Sequence, residues 1–203
     1  MKESDIKKIL LKALIETTPN IILGVEFSYD FSNRRADIIS FYQNKLIAYE
    51  IKSKNDTIQR LEGQTKSYKE YFDQCYVVCE KANLSKIRSS IGSEIGILLV
   101  DKQGITKKRN SRTFLKLNKI NLASTLNKEE LVNVSKESRT YSKYELCTIL
   151  SKKKKLSEIK QLSRDSIKRT YQLRTNTFIK ELGISINSDD ITTLSRRSPT
   201  KLF

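Results

Sequence analysis

The sequence predicts an α/β fold with a mixed sheet, followed by a basic helical region. Three observations carry this. Short apolar runs rich in β-branched and aromatic residues recur at 21–27, 34–41, 46–52, 75–79 and 95–100; a helix-like stretch separates the third from the fourth; and helical patterning takes over from Asn127 onward. At 203 residues, 37% of them hydrophobic, the chain has room for one α/β core and an appendage.

The elements follow in order. A first helix carries Glu3 and Glu16, and Ile21–Phe27 is the first strand. The second is Arg34-Arg35-Ala36-Asp37-Ile38-Ile39-Ser40-Phe41, and the third is Leu46-Ile47-Ala48-Tyr49-Glu50-Ile51-Lys52. A polar break at Gln43-Asn44-Lys45 makes these two a hairpin in which paired numbers sum to 87. Asp37 then faces Glu50, and Lys52 projects on the same side as Glu50 because side chains alternate along a strand. Like charges opposite one another destabilise a sheet. A divalent cation between the carboxylates would compensate, an arrangement suited to metal-dependent phosphodiester cleavage; a charged, solvated hairpin face is the plain structural reading of the same residues.

Ser53–Asp56 is turn-like, and a helix of about four turns is expected from an N-cap at Asp56 or Thr57 to Phe72. Arg60, Gln64, Tyr68 and Phe72 recur every four residues on one face of it. Cys75–Cys79 and Ile95–Val100 supply two more strands, and residues 101–112 read as a polar, basic connector.

With these pieces in place the chain resembles the PD-(D/E)XK nuclease superfamily. Asp37 stands on the second strand, Glu50-Ile51-Lys52 on the third, and Gln64-Thr65-Lys66-Ser67-Tyr68 looks like the Gln-x-x-x-Tyr signature of RecB-like members. The run Glu50-Ile51-Lys52-Ser53, Asp56-Thr57, Arg60-Leu61, Gln64, Tyr68, Phe72-Asp73 is similar to that of small bacterial and phage members. The resemblance covers residues 1–105 and implies a restriction-endonuclease-like αβββαβ core. It also implies metal ligation by Asp37, Glu50 and the Ile51 carbonyl. Hard oxygen donors favour Mg²⁺, with Mn²⁺ substituting. Lys52 would orient or deprotonate the attacking water, or stabilise charge on the phosphate. Gln64 would hold the carboxylates, with Tyr68 supporting it or touching a phosphate. Glu26 is the preferred additional acid, with Glu16 and Glu3 as alternatives because many members carry this acid on the first helix.

Lys and Arg number 39 against 23 acidic residues, a net charge of +16, which points to nucleic acid with salt-dependent affinity. Candidate contacts are Arg34, Arg35, Lys54, Arg60, Tyr68, Lys107, Lys108, Arg109, Lys153, Lys154, Lys168 and Arg169. No histidine is present, so His-based acid/base work, His-zinc sites and Ser-His-Asp hydrolysis are excluded. Three cysteines fall short of a four-cysteine zinc site, and Cys75 and Cys79 suit a core strand. There is no phosphate-binding Gly-x-x-x-x-Gly-Lys loop, signal peptide or apolar span, and a cytoplasmic protein without membrane contact is expected.

Residues 106–126 are expected as a basic connector, 127–186 as a helical, basic region and 187–203 as a flexible tail with Ser198-Pro199. Lys128–Val132 and Lys143–Leu150 read as helices. Leu156, Ile159 and Leu162 suggest one further helix, and Ile167, Tyr171, Phe178 and Leu182 another ending at Gly183. The Ser-rich break between those two is compatible with a helix-turn-helix. Arg139 to Leu182 holds 12 basic and 4 acidic residues, which favours a DNA-gripping surface.

The resulting expectation is a Mg²⁺-dependent DNA nuclease, an endonuclease or nickase of phage, mobile-element or defence origin. A non-cleaving DNA-binding or regulatory protein, or an RNA nuclease, is the alternative. Duplex DNA is the first partner expected, with single strands, RNA, a homodimer and a regulatory partner protein left open.

Overall fold

Runs of Ile, Val and aromatic residues separated by tight turns fold into a meander. Strands β1 (Ile22–Tyr29), β2 (Arg34–Tyr42) and β3 (Lys45–Lys52) pair antiparallel in order. The computed structural model describes residues 1–54 and 56–195. Gln43 and Asn44 both have positive φ, 47° and 60°, as a two-residue type I′ hairpin requires. That turn sets the expected register, with Ile38 opposite Tyr49 and Tyr42 opposite Lys45.

Helix α2 (Leu61–Tyr71) carries the chain over to β4 (Gln74–Cys79), parallel to β3, and α3 (Leu84–Ser90) leads to β5 (Gly96–Asp101), parallel to β4. The mixed α/β fold and its αβββαβ order are therefore as predicted. The sheet continues to a sixth strand, β6 (Gly104–Arg109), antiparallel to β5. Residues 101–112, expected as a connector, thus hold a strand, and the expected boundary at 105 falls inside this hairpin. Its polar string is that of an edge strand: Asp101 Oδ1 accepts from the backbone of Gln103 and Gly104, and exposed Lys107 and Lys108 guard a free edge.

Each sheet face has its own core. Ile6, Leu10 and Leu11 of α1 (Glu3–Thr17) pack on Val25, Ile38, Tyr49 and Val78. Leu61, Tyr68 and Phe72 pack on the other face with Phe27, Ile39, Ala48 and Val77. Cys75, Cys79 and Cys147 are buried free thiols, as their apolar settings suggest. Helix α2 starts later than expected, because the Asp56 carboxylate accepts from Ser53 N instead of capping a helix.

Helices α4 (Lys119–Ala123), α5 (Lys128–Ser135) and α6 (Lys143–Lys153) form a third cluster. The two helices expected between 156 and 182 are one, α7 (Leu156–Glu181), so the proposed turn of a helix-turn-helix between them does not exist. Ser163 and Ser166 are not breakers. Ser163 Oγ lies 2.7 Å from Thr125 Oγ1, and Ser166 Oγ donates to Glu130 at 2.7 Å, so both are small buried contact points. At a rise of about 1.5 Å per residue α7 is about 39 Å long. It runs from the helical cluster at Ile159 past one sheet face at Ile167 to the opposite core at Phe178. Within the expected tail, Ser188–Ser195 is helix α8, whose Leu194 is buried; 196–203, with Ser198-Pro199, lies outside the described residues. Among the described residues no helix is long and apolar enough to cross a membrane.

Candidate metal and phosphodiester site

The alternation of β3 turns Glu50 toward α2, where it is 2% exposed. Such burial of a carboxylate demands partners, and three side chains supply them. Gln64 Nε2 donates to Glu50 Oε1 at 2.7 Å, Lys52 Nζ to the same oxygen at 2.8 Å, and Tyr68 Oη to Oε2 at 2.5 Å. The four-residue spacing of Gln64 and Tyr68 brings both to one carboxylate. The geometry corrects the expectation that Tyr68 touches nucleic acid: its side chain is fully buried, and its phenol is pushed well above the usual range by burial and the neighbouring Glu50 charge.

Asp37 lies beside this cluster, its Oδ2 accepting from Ile51 N at 2.7 Å. The N–H and C=O of one strand residue point to the same neighbour, so the Ile51 carbonyl is turned to the Asp37 side. Burial first, and then the charge of Glu50, push the Asp37 carboxyl up to about 7. Glu3, Asp37, Glu50, Ile51, Lys52, Arg60 and Gln64 line one cleft of about 290 Å³, together with Asp56 and Thr57.

Carboxylate oxygens of Glu3, Glu26 and Asp37 all lie within 4.8 Å of one another. Both Glu26 and the alternative Glu3 are thus brought to the site, from β1 and the first turn of α1. Glu16 is not; it stands 3.9 Å from Lys12 at the exposed far end of that helix. Glu26 reaches the cluster through a backbone irregularity, a φ of 51° inside a strand. Val25 packs in the α1 core while Phe27 packs in the opposite one, so the strand turns over at Glu26. Val25 pairs with Ile38 and Phe27 with Ala36, and Ile38 pairs with Tyr49, so continuing these registers by one residue carries Glu26, Asp37 and Glu50 to one level on three adjacent strands.

Lys7, which is not among the residues expected at the site, bonds both Glu26 and Glu3, the latter at 2.7 Å. Burial opposes its charge, yet those hydrogen bonds outweigh it and raise the ammonium above its ordinary pKa. The Glu3-to-Lys7 spacing on one helix is the signal that points to it. The donor set fits a hard divalent cation: every ligand candidate is oxygen, and Gln64 Oε1 is buried beside them without a hydrogen-bond partner among the described residues.

The expected nucleic-acid contacts separate into groups. Arg35 is exposed with Nη1 3.6 Å from Glu26, and Arg60 lines the cleft. Arg34 reaches Asp30 at 3.3 Å and the Gly63 carbonyl at 3.5 Å. Exposed Lys54 lines an adjoining cleft. Lys107 and Lys108 are exposed on β6, at the sheet edge three strands beyond β3. Arg109 is bound into its own turn, donating to the carbonyls of Ile95 at 2.7 Å and Gly92 at 3.0 Å, which makes it structural. Lys153 and Lys154 tie helices together through Glu137 and Glu158. Lys168 is exposed, and Arg169 is exposed while paired with Glu130 at 2.7 Å.

Residues 1–195 match the family described as Bacteriophage P4 protein cII, and the chain belongs to that family. Protein cII of Enterobacteria phage P4 is 29% identical over 176 residues, covering 81% of this chain and 66% of that protein; the chain thus spans just under two thirds of this relative. Among solved structures, a protein of unknown function from Silicibacter pomeroyi is similar with a TM-score of 0.44 and 14% identity, over 88% of this chain and 94% of that one.

Proposed function

We propose that this member of the phage P4 cII family is a metal-dependent nuclease of the PD-(D/E)XK type, hydrolysing phosphodiester bonds in DNA as an endonuclease or nickase. The observation that carries the reading is Glu50. A buried carboxylate held by Lys52, Gln64 and Tyr68, beside an Asp37 raised to about 7, has little structural use and much catalytic use. Asp37, Glu50 and the Ile51 carbonyl, with Glu26 or Glu3, would hold Mg²⁺ or Mn²⁺. Bound there, the ion supplies electrostatic stabilisation of the phosphoryl oxygens and a water more acidic than in bulk.

The chain's own side chains do the positioning. Lys52 Nζ, 2.8 Å from Glu50, stands where it can orient the attacking water and oppose negative charge on the phosphate. Gln64 and Tyr68 fix the Glu50 carboxylate so that its direction does not change during turnover. Lys7 neutralises part of the acidic cluster and keeps Glu3 and Glu26 together. Arg35 and Arg60 flank the cleft as phosphate contacts, positioning the backbone without reading sequence.

The test is incubation with supercoiled plasmid, linear duplex, single strands and RNA in Mg²⁺, Mn²⁺ or EDTA. Cleavage is expected with either metal. It should fall by about 10²-fold or more in Asp37→Ala, Glu50→Ala and Lys52→Ala. Cleavage in EDTA, or by Glu50→Ala at the native rate, overturns the site. Binding without cleavage in any metal would favour a DNA-binding regulatory role instead.

A further inference from the structure

We infer that the cleft between β1 and the C-terminal helices is a binding track for a single strand of nucleic acid that leads to the candidate metal site; as a substrate track, it rests on the nuclease reading. The cleft, about 710 Å³, runs along the β1 segment Val25–Ser28 and is closed on the other side by α7 and the starts of α5 and α6. Four cations line it: Lys128, Lys143, Arg169 and Arg174. Among the described residues that line it the one carboxylate is Glu26, which also belongs to the acidic cluster with Asp37. Positive charge therefore lines the cleft, and Glu26 is the residue that it shares with the acidic cluster. A phosphodiester chain entering it would be carried toward that site.

Charge separates this cleft from its rival. A second cleft, of about 720 Å³, carries Lys54 and Lys86 but also Asp56 and Glu62, so it presents no net attraction to phosphate. In the β1 cleft, by contrast, Lys128, Lys143 and Arg174 have no carboxylate partner among the described residues, and only Arg169 is engaged, with Glu130. Arg174 is also preset. Its guanidinium carbon lies 4.9 Å from the Tyr171 ring centroid, and its Nε is buried without a hydrogen-bond partner among the described residues. Leu173, 65% exposed on the rim, offers an apolar face beside these cations. Cations along a groove with apolar and aromatic surface between them are the means by which proteins hold single strands irrespective of sequence. Duplex phosphates flank grooves about 6–12 Å wide and need an open face, whereas this cleft is walled on both sides.

The test is fluorescence anisotropy of the full chain with labelled 12-nucleotide oligo-dT and oligo-U in EDTA, where binding is read without turnover. Lys143→Gln/Arg174→Gln should bind at least about tenfold more weakly, with a log–log salt slope shallower by about 1.4, since each single-strand phosphate contact contributes about 0.7. Lys45→Gln/Lys102→Gln removes the same charge from two exposed hairpin turns outside the cleft, β2–β3 and β5–β6, and should stay within about twofold. Lys128→Glu, on the exposed start of α5, is a second variant that spares the buried groups, and it should weaken binding in the same direction. Equal weakening by the two double variants, or equal competition by a 12-base-pair duplex, overturns the track. Because binding is measured in EDTA, a normal result here with no cleavage in any metal would count against the nuclease reading alone.

Discussion

Arg164 donates two hydrogen bonds to Asp73 Oδ2, from Nε at 3.1 Å and from Nη2 at 2.9 Å, with neither side chain exposed. Nη2 also donates to the Tyr71 carbonyl at 3.0 Å, and Asp73 Oδ2 further accepts from Leu46 N at 2.9 Å. Lys160 Nζ reaches the other carboxylate oxygen at 2.5 Å. One buried carboxylate thus joins α7, the end of α2 and the start of β3. The helical region is held to the sheet by charge as well as by packing.

Removing one member of such a pair leaves the other charge buried. Arg164→Leu is expected to lower stability by about 3–5 kcal/mol, read as a reduced urea midpoint, with Arg164→Leu/Asp73→Asn recovering part of the loss. The pair also sets an acid limit. Burial alone would raise the Asp73 carboxyl, but Arg164 and Lys160 outweigh it and hold it below its ordinary range. Its stabilisation is therefore complete above about pH 3.9, the unfolded value, and is lost as pH falls through the lower folded value. Arg164→Leu should lose less stability across that acid range than the native chain.

Asp37 works in the opposite direction. Its carboxyl, raised to about 7 by burial and by Glu50, binds a proton more tightly folded than unfolded. Its contribution to stability is then greatest below about pH 3.9 and declines as pH rises through the folded value. Asp37→Asn should therefore melt higher than the native chain in EDTA at pH 8, by about 3 °C or more given 2–4 °C per kcal/mol in a chain of this size. At pH 4 the difference should vanish. Added Mg²⁺ should raise the native melting temperature and leave that of Asp37→Asn nearly unchanged; an equal rise in both would argue against Asp37 as a ligand.

The parts legible in the sequence are those where local pattern and tertiary demand coincide. Apolar runs such as Ile47–Ile51 could only be buried strands, and the two-residue Gln43-Asn44 turn fixes the expected register from Tyr42–Lys45 to Ile38–Tyr49, one residue short of Asp37 and Glu50. The Gln64–Tyr68 spacing placed both on one carboxylate. What escaped depended on distant partners. Ser163 and Ser166 read as breaks because their hydroxyls look like turn formers, whereas Thr125 and Glu130 absorb them inside a continuous helix. The Thr106-Lys107-Lys108 string has no apolar face, since β6 is an edge strand. Arg109 and Tyr68 carry groups suited to phosphate, and only the fold reveals that carbonyls and Glu50 already occupy them.

The Tyr68–Glu50 hydrogen bond separates positioning from ligation. Tyr68→Phe keeps the ring that packs against Tyr29 and Phe72 and removes only the donor to Glu50 Oε2. Loss of an outer-shell partner typically costs about 10–100-fold in metal affinity or activity. Cleavage by Tyr68→Phe should fall in that range, with part of the loss recovered at high Mn²⁺. Glu50→Ala should show no such recovery. Native activity in Tyr68→Phe would mean that Glu50 is held well enough by Lys52 and Gln64 alone.

Glu26 offers a test of whether strain at the site serves the carboxylate. A non-glycine residue in a left-handed conformation costs about 1–3 kcal/mol, and Glu26 adopts φ 51° in a strand whose faces exchange at that point. Glycine carries no such cost, so Glu26→Gly should be more stable than Glu26→Ala by about 1 kcal/mol. Both variants lose the same carboxylate from the cluster with Glu3 and Asp37, so both should need more Mg²⁺ for half-maximal cleavage, to the same extent. Stability that rises at Glu26→Gly while metal demand worsens equally in the two variants identifies the backbone turn as the means by which β1 delivers its acid. Equal melting temperatures for the two would mean that the turn is held by its neighbours, Val25 and Phe27, at no local cost.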